Sequence, residues 1–143
     1  MGRPRTVAVP LALERAERAF LATGYAGTSV DDLVAAVGLR RGSLYREFGS
    51  KRGLFLAVLR HRLGASSPSA TSGELLDLLL VAAQERGRDD AEVAGLVRMA
   101  AARLAPTLQE AATLLGSRLL TRLHPEHPDD AEGDTDGHPD RGR

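Results

Sequence analysis

TSVDDLVAAVGLRRGSLYREFGSKR, residues 28–52, reads as two short helices around a glycine turn, followed at once by the start of a third. Ser29 offers an N-cap with Asp32 three residues on, and Thr28 with Asp31 offers the same box one residue earlier. Val30, Leu33, Val34 and Val37 form a tight apolar stripe; Gly38 stops that helix and Leu39 plugs the corner. The next helix is predicted from about Arg41 to Phe48, burying Leu44 and Phe48, with Gly49 ending it and Ser50 capping its successor. This is the construction of a helix-turn-helix, in which the second helix enters a DNA major groove. Such a helix needs small residues at its start, so that the backbone can approach DNA, and donors at its exposed end. Arg40, Arg41, Gly42 and Ser43 meet that demand, and Tyr45 and Arg46 lie one turn further on. Arginine suits both guanine O6/N7 and phosphate. The amides and hydroxyls at Thr28/Ser29 and Ser50/Lys51 suit phosphate oxygens. On spacing alone an ordinary corner of three helices with solvated arginines remains open.

Working outward, residues 1–9 with Arg3 and Arg5 are expected to be a flexible basic arm. Val9, Leu13, Ala16 and Phe20 recur at helical spacing and predict an amphipathic helix from Pro10 to about Thr23, capped by Gly24, with Tyr25–Gly27 as a short connection. After Ser50 a longer helix runs to about Leu63, burying Leu54, Phe55, Val58 and Leu59. GASSPSATSG, residues 64–73, has linker composition, and Thr71 to Glu74 forms a capping box at its far end. The helix from Gly73 to Arg86 is apolar almost all round and must be buried. The next opens at Asp89/Asp90 and carries Val93, Leu96, Val97, Ala100 and Leu104. After Pro106 the last helix carries Leu108, Ala112, Leu115 and Leu119. Residues 124–143 hold seven acids and no core-building pattern, the signature of a disordered acidic tail. The fold class is therefore all-α: a three-helix DNA-binding unit over residues 10–64, joined by its fourth helix to a short helical domain over 65–123.

Composition narrows the function. Aromatics make up 3% of the chain against 43% hydrophobic residues, so the core is aliphatic, which favours helices over a sandwich or barrel. Residues 1–64 carry 11 Lys and Arg against 5 Asp and Glu, and the remainder 8 against 14, so a zero net charge conceals a +6 half and a −6 half. Such an asymmetry is either the footprint of a chain that presents one end to a polyanion or chance unevenness across two solvated surfaces. The absence of cysteine removes disulfides, thiol catalysis and thiolate metal sites. No long apolar run and no signal-peptide core is present, so no membrane partner and a cytoplasmic location are expected. His124, His127, Asp129 and Asp130 resemble metal ligands, but Pro125 and Pro128 deny them a common helical face, so no metal and no cofactor is expected. No triad, phosphate loop or zinc pattern points to an enzyme.

One set of residues goes beyond generic spacing. Phe20, Gly24-Tyr25, Thr28-Ser29-Val30 with Leu33, Gly38-Leu39, Gly42-Ser43-Leu44-Tyr45 with Phe48, and Ser50-Lys51 with Leu54-Phe55 together resemble the DNA-binding region of the TetR family of transcriptional regulators, over about residues 9–63. The resemblance implies a phosphate contact and helix cap at Thr28, base-facing positions at Arg41, Gly42 and Ser43, and phosphate contacts from Tyr45 and Lys51. Arg40 stands where the family usually has a small capping residue, and Glu47 where histidine is frequent. The resemblance further implies a ligand-responsive repressor that binds a two-fold symmetric operator as a homodimer. Here the pairing is expected through residues 91–123, with a small apolar effector held among Leu, Val and Met side chains. The competing reading is a truncated helical interaction module with weak or no DNA binding, because only three helices follow the linker.

Overall fold

Helix α1 (Val9–Gly27) runs beyond its expected end, because Gly24 kinks it without terminating it. Gly24 takes φ 75° and ψ 176°, a conformation that costs other residues a clash between Cβ and carbonyl, and one further turn follows. The computed structural model describes residues 8–64 and 73–123. The rest of the basic arm, most of the linker with its Thr71 box, and the acidic tail with its histidines lie outside the described residues. Beyond α1 these form α2 (Val30–Val37), α3 (Arg41–Phe48), α4 (Lys51–Gly64), α5 (Gly73–Glu85), α6 (Ala91–Leu104) and α7 (Leu108–Leu123).

The turn between α2 and α3 follows from its residues. Gly38 adopts the left-handed conformation (φ 75°, ψ 23°) and returns its N–H to the Val34 carbonyl. Leu39 is half-buried against the core, Leu33 and Val37 are fully enclosed, and Leu44 inserts from α3. Ser50 caps α4 by accepting the Gly53 N–H at 2.9 Å. Phe20 and Phe55 meet edge to face at 4.9 Å and 73°, and Tyr25 meets Phe55 in the same manner at 5.0 Å. Three of the chain's five aromatic rings thus tie α1 to α4.

One hydrophobic core extends through both halves of the chain. Ala12, Ala16, Phe20, Leu33, Leu44 and Phe55 join Leu78, Val81 and Ala82 of α5 and Val93 of α6 in a single cluster. Helix α5 is buried on nearly every side, as its apolar circumference requires. A smaller cluster of Leu75, Leu79 and Ala100, flanked by Leu63, Leu104 and Leu115, continues toward α7.

Helix α7 departs from its expected stripe. Leu108 is 86% exposed and Ala112 is exposed, whereas Ala111 is buried and Leu115 and Leu119 are half-buried. Arg118 of α7 donates to Asp77 of α5 at 3.0 and 2.6 Å, a bidentate pair that ties the two helices together.

Candidate nucleic-acid interface

The site begins at the N-terminus of α2. Ser29, not Thr28, caps that helix: its hydroxyl accepts the Asp32 N–H at 3.1 Å, and Asp32 accepts the Ser29 N–H at 2.8 Å. The Ser29 hydroxyl and N–H both donate to the Asp32 carboxylate and hold it below its ordinary range, the hydroxyl contributing most. The capping role expected of Thr28 is thereby corrected. Thr28 is fully buried, its hydroxyl donating to the Gly24 carbonyl at 2.6 Å and lying 2.7 Å from the Thr23 hydroxyl. That hydroxyl locks the kink of α1 to the start of α2 and is not turned toward solvent.

Lys51 is likewise drawn inward. Its ammonium donates to the Tyr25 and Thr28 carbonyls at 2.9 and 3.0 Å and sits 4.4 Å from the centre of the Tyr25 ring. A lysine has three donors, so one remains for a phosphate beside the α2 terminus. Arg86 approaches the same ring at 5.1 Å, and Glu85 accepts the Ala26 N–H at 2.6 Å. The end of α5 therefore braces the α1–α2 connection.

The start of α3 is exposed. Arg40 occupies the N-cap position without a side-chain hydrogen bond, consistent with its replacing a small polar capping residue. Arg40, Arg41, Gly42, Tyr45 and Arg46 lie at the surface and Ser43 is half-buried. Nothing lies within 4 Å of where a Gly42 side chain would begin, so another molecule can approach the backbone there. Arg41 is ion-paired with Asp31 in the first turn of α2, which raises the guanidinium pKa chiefly through that hydrogen bond. The pair sets the two helix starts side by side. Glu47 is exposed on the same helix. Thus Ser29, Arg40, Arg41, Gly42, Tyr45 and Arg46 share an open surface, while Thr28 and most of the Lys51 ammonium support it from behind.

A second charged cluster ties this unit to α6. Arg52 donates to both Asp90 oxygens at 2.6 and 2.9 Å and to Glu92 at 3.0 Å, and Arg60 also pairs with Glu92. Asp90 is buried and caps α6 through the Glu92 and Val93 amides, both at 3.2 Å. Its carboxyl is held far below the ordinary range, first by Arg52. Glu85, Asp77 and Glu92 find inter-helix partners 32 to 59 residues away, where no helical period can reveal them.

Among the described residues no helix is long and apolar enough to cross a membrane, and no group of three or more His, Cys, Asp or Glu side chains is placed to hold a metal ion. Residues 12–58 match the model of the bacterial regulatory proteins of the tetR family. It is 43% identical over 63 residues to the uncharacterized HTH-type transcriptional regulator YezE of Bacillus subtilis, covering 44% of this chain and 32% of that protein. It is 47% identical over 58 residues to the HTH-type transcriptional repressor ComR of Escherichia coli, covering 41% and 28%. It is 38% identical over 66 residues to the HTH-type transcriptional repressor BdcR of Escherichia coli, covering 46% and 34%. The chain spans about a third of the length of the curated relatives it matches.

Proposed function

We propose that the protein is a DNA-binding transcriptional regulator, a repressor that reads a two-fold symmetric operator as a homodimer. The observation that carries this is the exposed, basic start of α3 set beside the capped N-terminus of α2. Helix α3 enters the major groove, Arg40 and Arg41 reach base edges, and Gly42 and Ser43 let the backbone come close. Tyr45, Arg46, Ser29 and the remaining Lys51 hydrogen take phosphates. The repressor assignment is supported by the names of ComR and BdcR.

Pairing is proposed because one eight-residue helix reads only part of a site, and useful specificity needs a symmetric second half. The exposed Met99, Leu108, Leu120 and Leu123 of α6 and α7 are the apolar side chains available for it. The effector seat we assign is an open pocket of about 260 Å³ lined by Ala101, Ala102, Ala105, Pro106, Leu108 and Ala111 together with Arg98 and Thr107. An apolar cavity of about 150 Å³ already takes benzene, so a single-ring or short-chain apolar molecule fits.

The test is a mobility shift with duplexes selected from a random library by the wild-type protein. Arg41→Ala is expected to weaken the selected duplex about tenfold or more, with a much smaller effect on unselected DNA. Wild-type affinity that does not fall with salt would rule out DNA binding of this kind.

A further inference from the structure

Arg41 does not stand free at the start of α3. Its Nη2 donates to Oδ1 of Asp31, and both side chains are solvent-facing, 54% and 79% exposed. Asp31 is not needed as a cap, since Asp32 completes the box with Ser29. The pair spans the turn between the two helices whose starts face outward together.

We infer that Asp31 is a specificity-determining positioning residue, which acts through Arg41 to suppress its use as a general phosphate contact. The inference rests on the DNA-binding reading above. A guanidinium has five donors on a planar fork. Asp31 engages one hydrogen of Nη2, leaving the second Nη2 hydrogen and its neighbour on Nη1 or Nε as the pair for acceptors on a guanine edge. Turning the fork away to a phosphate breaks the Asp31 bond and brings a carboxylate near the DNA backbone. Binding a base edge through the open side keeps that bond. The carboxylate therefore penalises the non-specific mode more than the specific one, which is how a repulsive element creates discrimination.

The experiment compares wild type, Asp31→Asn, Arg41→Gln and the double variant on two probes, the duplex selected by wild type and a random-sequence duplex of equal length. Asp31→Asn is expected to bind the random duplex about three- to fivefold more tightly. Its salt slope should steepen by about 0.9, one more phosphate neutralised. Affinity for the selected duplex should change less, so the ratio between probes falls. In the Arg41→Gln background the same change should leave both affinities where they were. Thermal melting checks that each variant folds, and Asp31→Ser replaces Asp31→Asn if that one does not. An unchanged ratio, or an equal gain with and without Arg41, overturns the inference while leaving DNA binding intact. No salt-dependent binding by wild type to either probe overturns the DNA reading and this inference with it.

Discussion

At the scale of single residues, the chain uses small groups where geometry is tight and long cations where distant segments must meet. Gly24 shows the first. Its φ of 75° is unfavourable for any other residue, and a Cβ there would collide with the Glu85 carboxylate that accepts the Ala26 N–H. Gly24→Ala should cost about 1–2 kcal/mol for the backbone alone. Removing the obstacle with Glu85→Ala should recover none of that strain but should relieve the added clash. Urea unfolding of the two single variants and the double variant measures both parts. Additive losses would mean that the carboxylate does not constrain the kink.

Among elements, α4 ties together helices from both halves of the chain. Its first residue, Lys51, holds the carbonyls between α1 and α2, and its second, Arg52, holds the cap of α6. Near its end Arg62 pairs with Glu17 of α1 and Glu74 of α5, both at 3.4 Å. The two buried acids at these joints respond oppositely to pH. Burial raises the Glu17 carboxyl above its ordinary 4.5, opposed by Arg62 and His61 and reinforced by Glu74 and Glu14. Its stabilising contribution is therefore complete below 4.5 and lost as pH rises through the raised value. Asp90 behaves in the reverse sense: its contribution is present above 3.8 and lost as pH falls through its depressed value. From about pH 7 to about pH 4 wild type should gain stability relative to Glu17→Gln in urea unfolding. A gap that stays constant over that range would show that Glu17 titrates as a solvated acid.

The helices themselves were legible because each carries its own punctuation: Ser29 with Asp32, Gly38, Gly49, Ser50 and Asp90 all act where local chemistry places them. The basic start of α3 was legible for the same reason. The inward roles of Thr28 and Lys51 were not, since a threonine before a cap and a lysine opening a helix both read as surface groups. Only the packing of Tyr25 and the return of α5 enclose them. The tie between α7 and α5 escaped as well, because Arg118 and Asp77 are 41 residues apart.

At the scale of the whole molecule, the continuous core from α1 through α6 makes the basic reading unit and the helices behind it one cooperative body. What that body leaves uncovered is a run of leucines on α7, with Leu120 61% and Leu123 65% exposed. If these form the homodimer contact, light scattering should give a two-chain mass for wild type and a one-chain mass for Leu120→Asp/Leu123→Asp. Helical content should be unchanged, because neither side chain contributes to the core. A one-chain wild type at micromolar concentration would refute the pairing.

Lys51 is the single lysine among 19 basic residues. Growth on carbon-13 lysine therefore installs one labelled side chain at the junction of α1, α2 and α4, with its hydrogen bonds intact. Held 4.4 Å from the Tyr25 ring, its Cε–H signal should be displaced by the ring current, and any motion of α4 away from that ring should move it back. The internal position of this ammonium thus gives the protein a built-in spectroscopic probe, placed where the brace from α5 meets the surface proposed to face DNA.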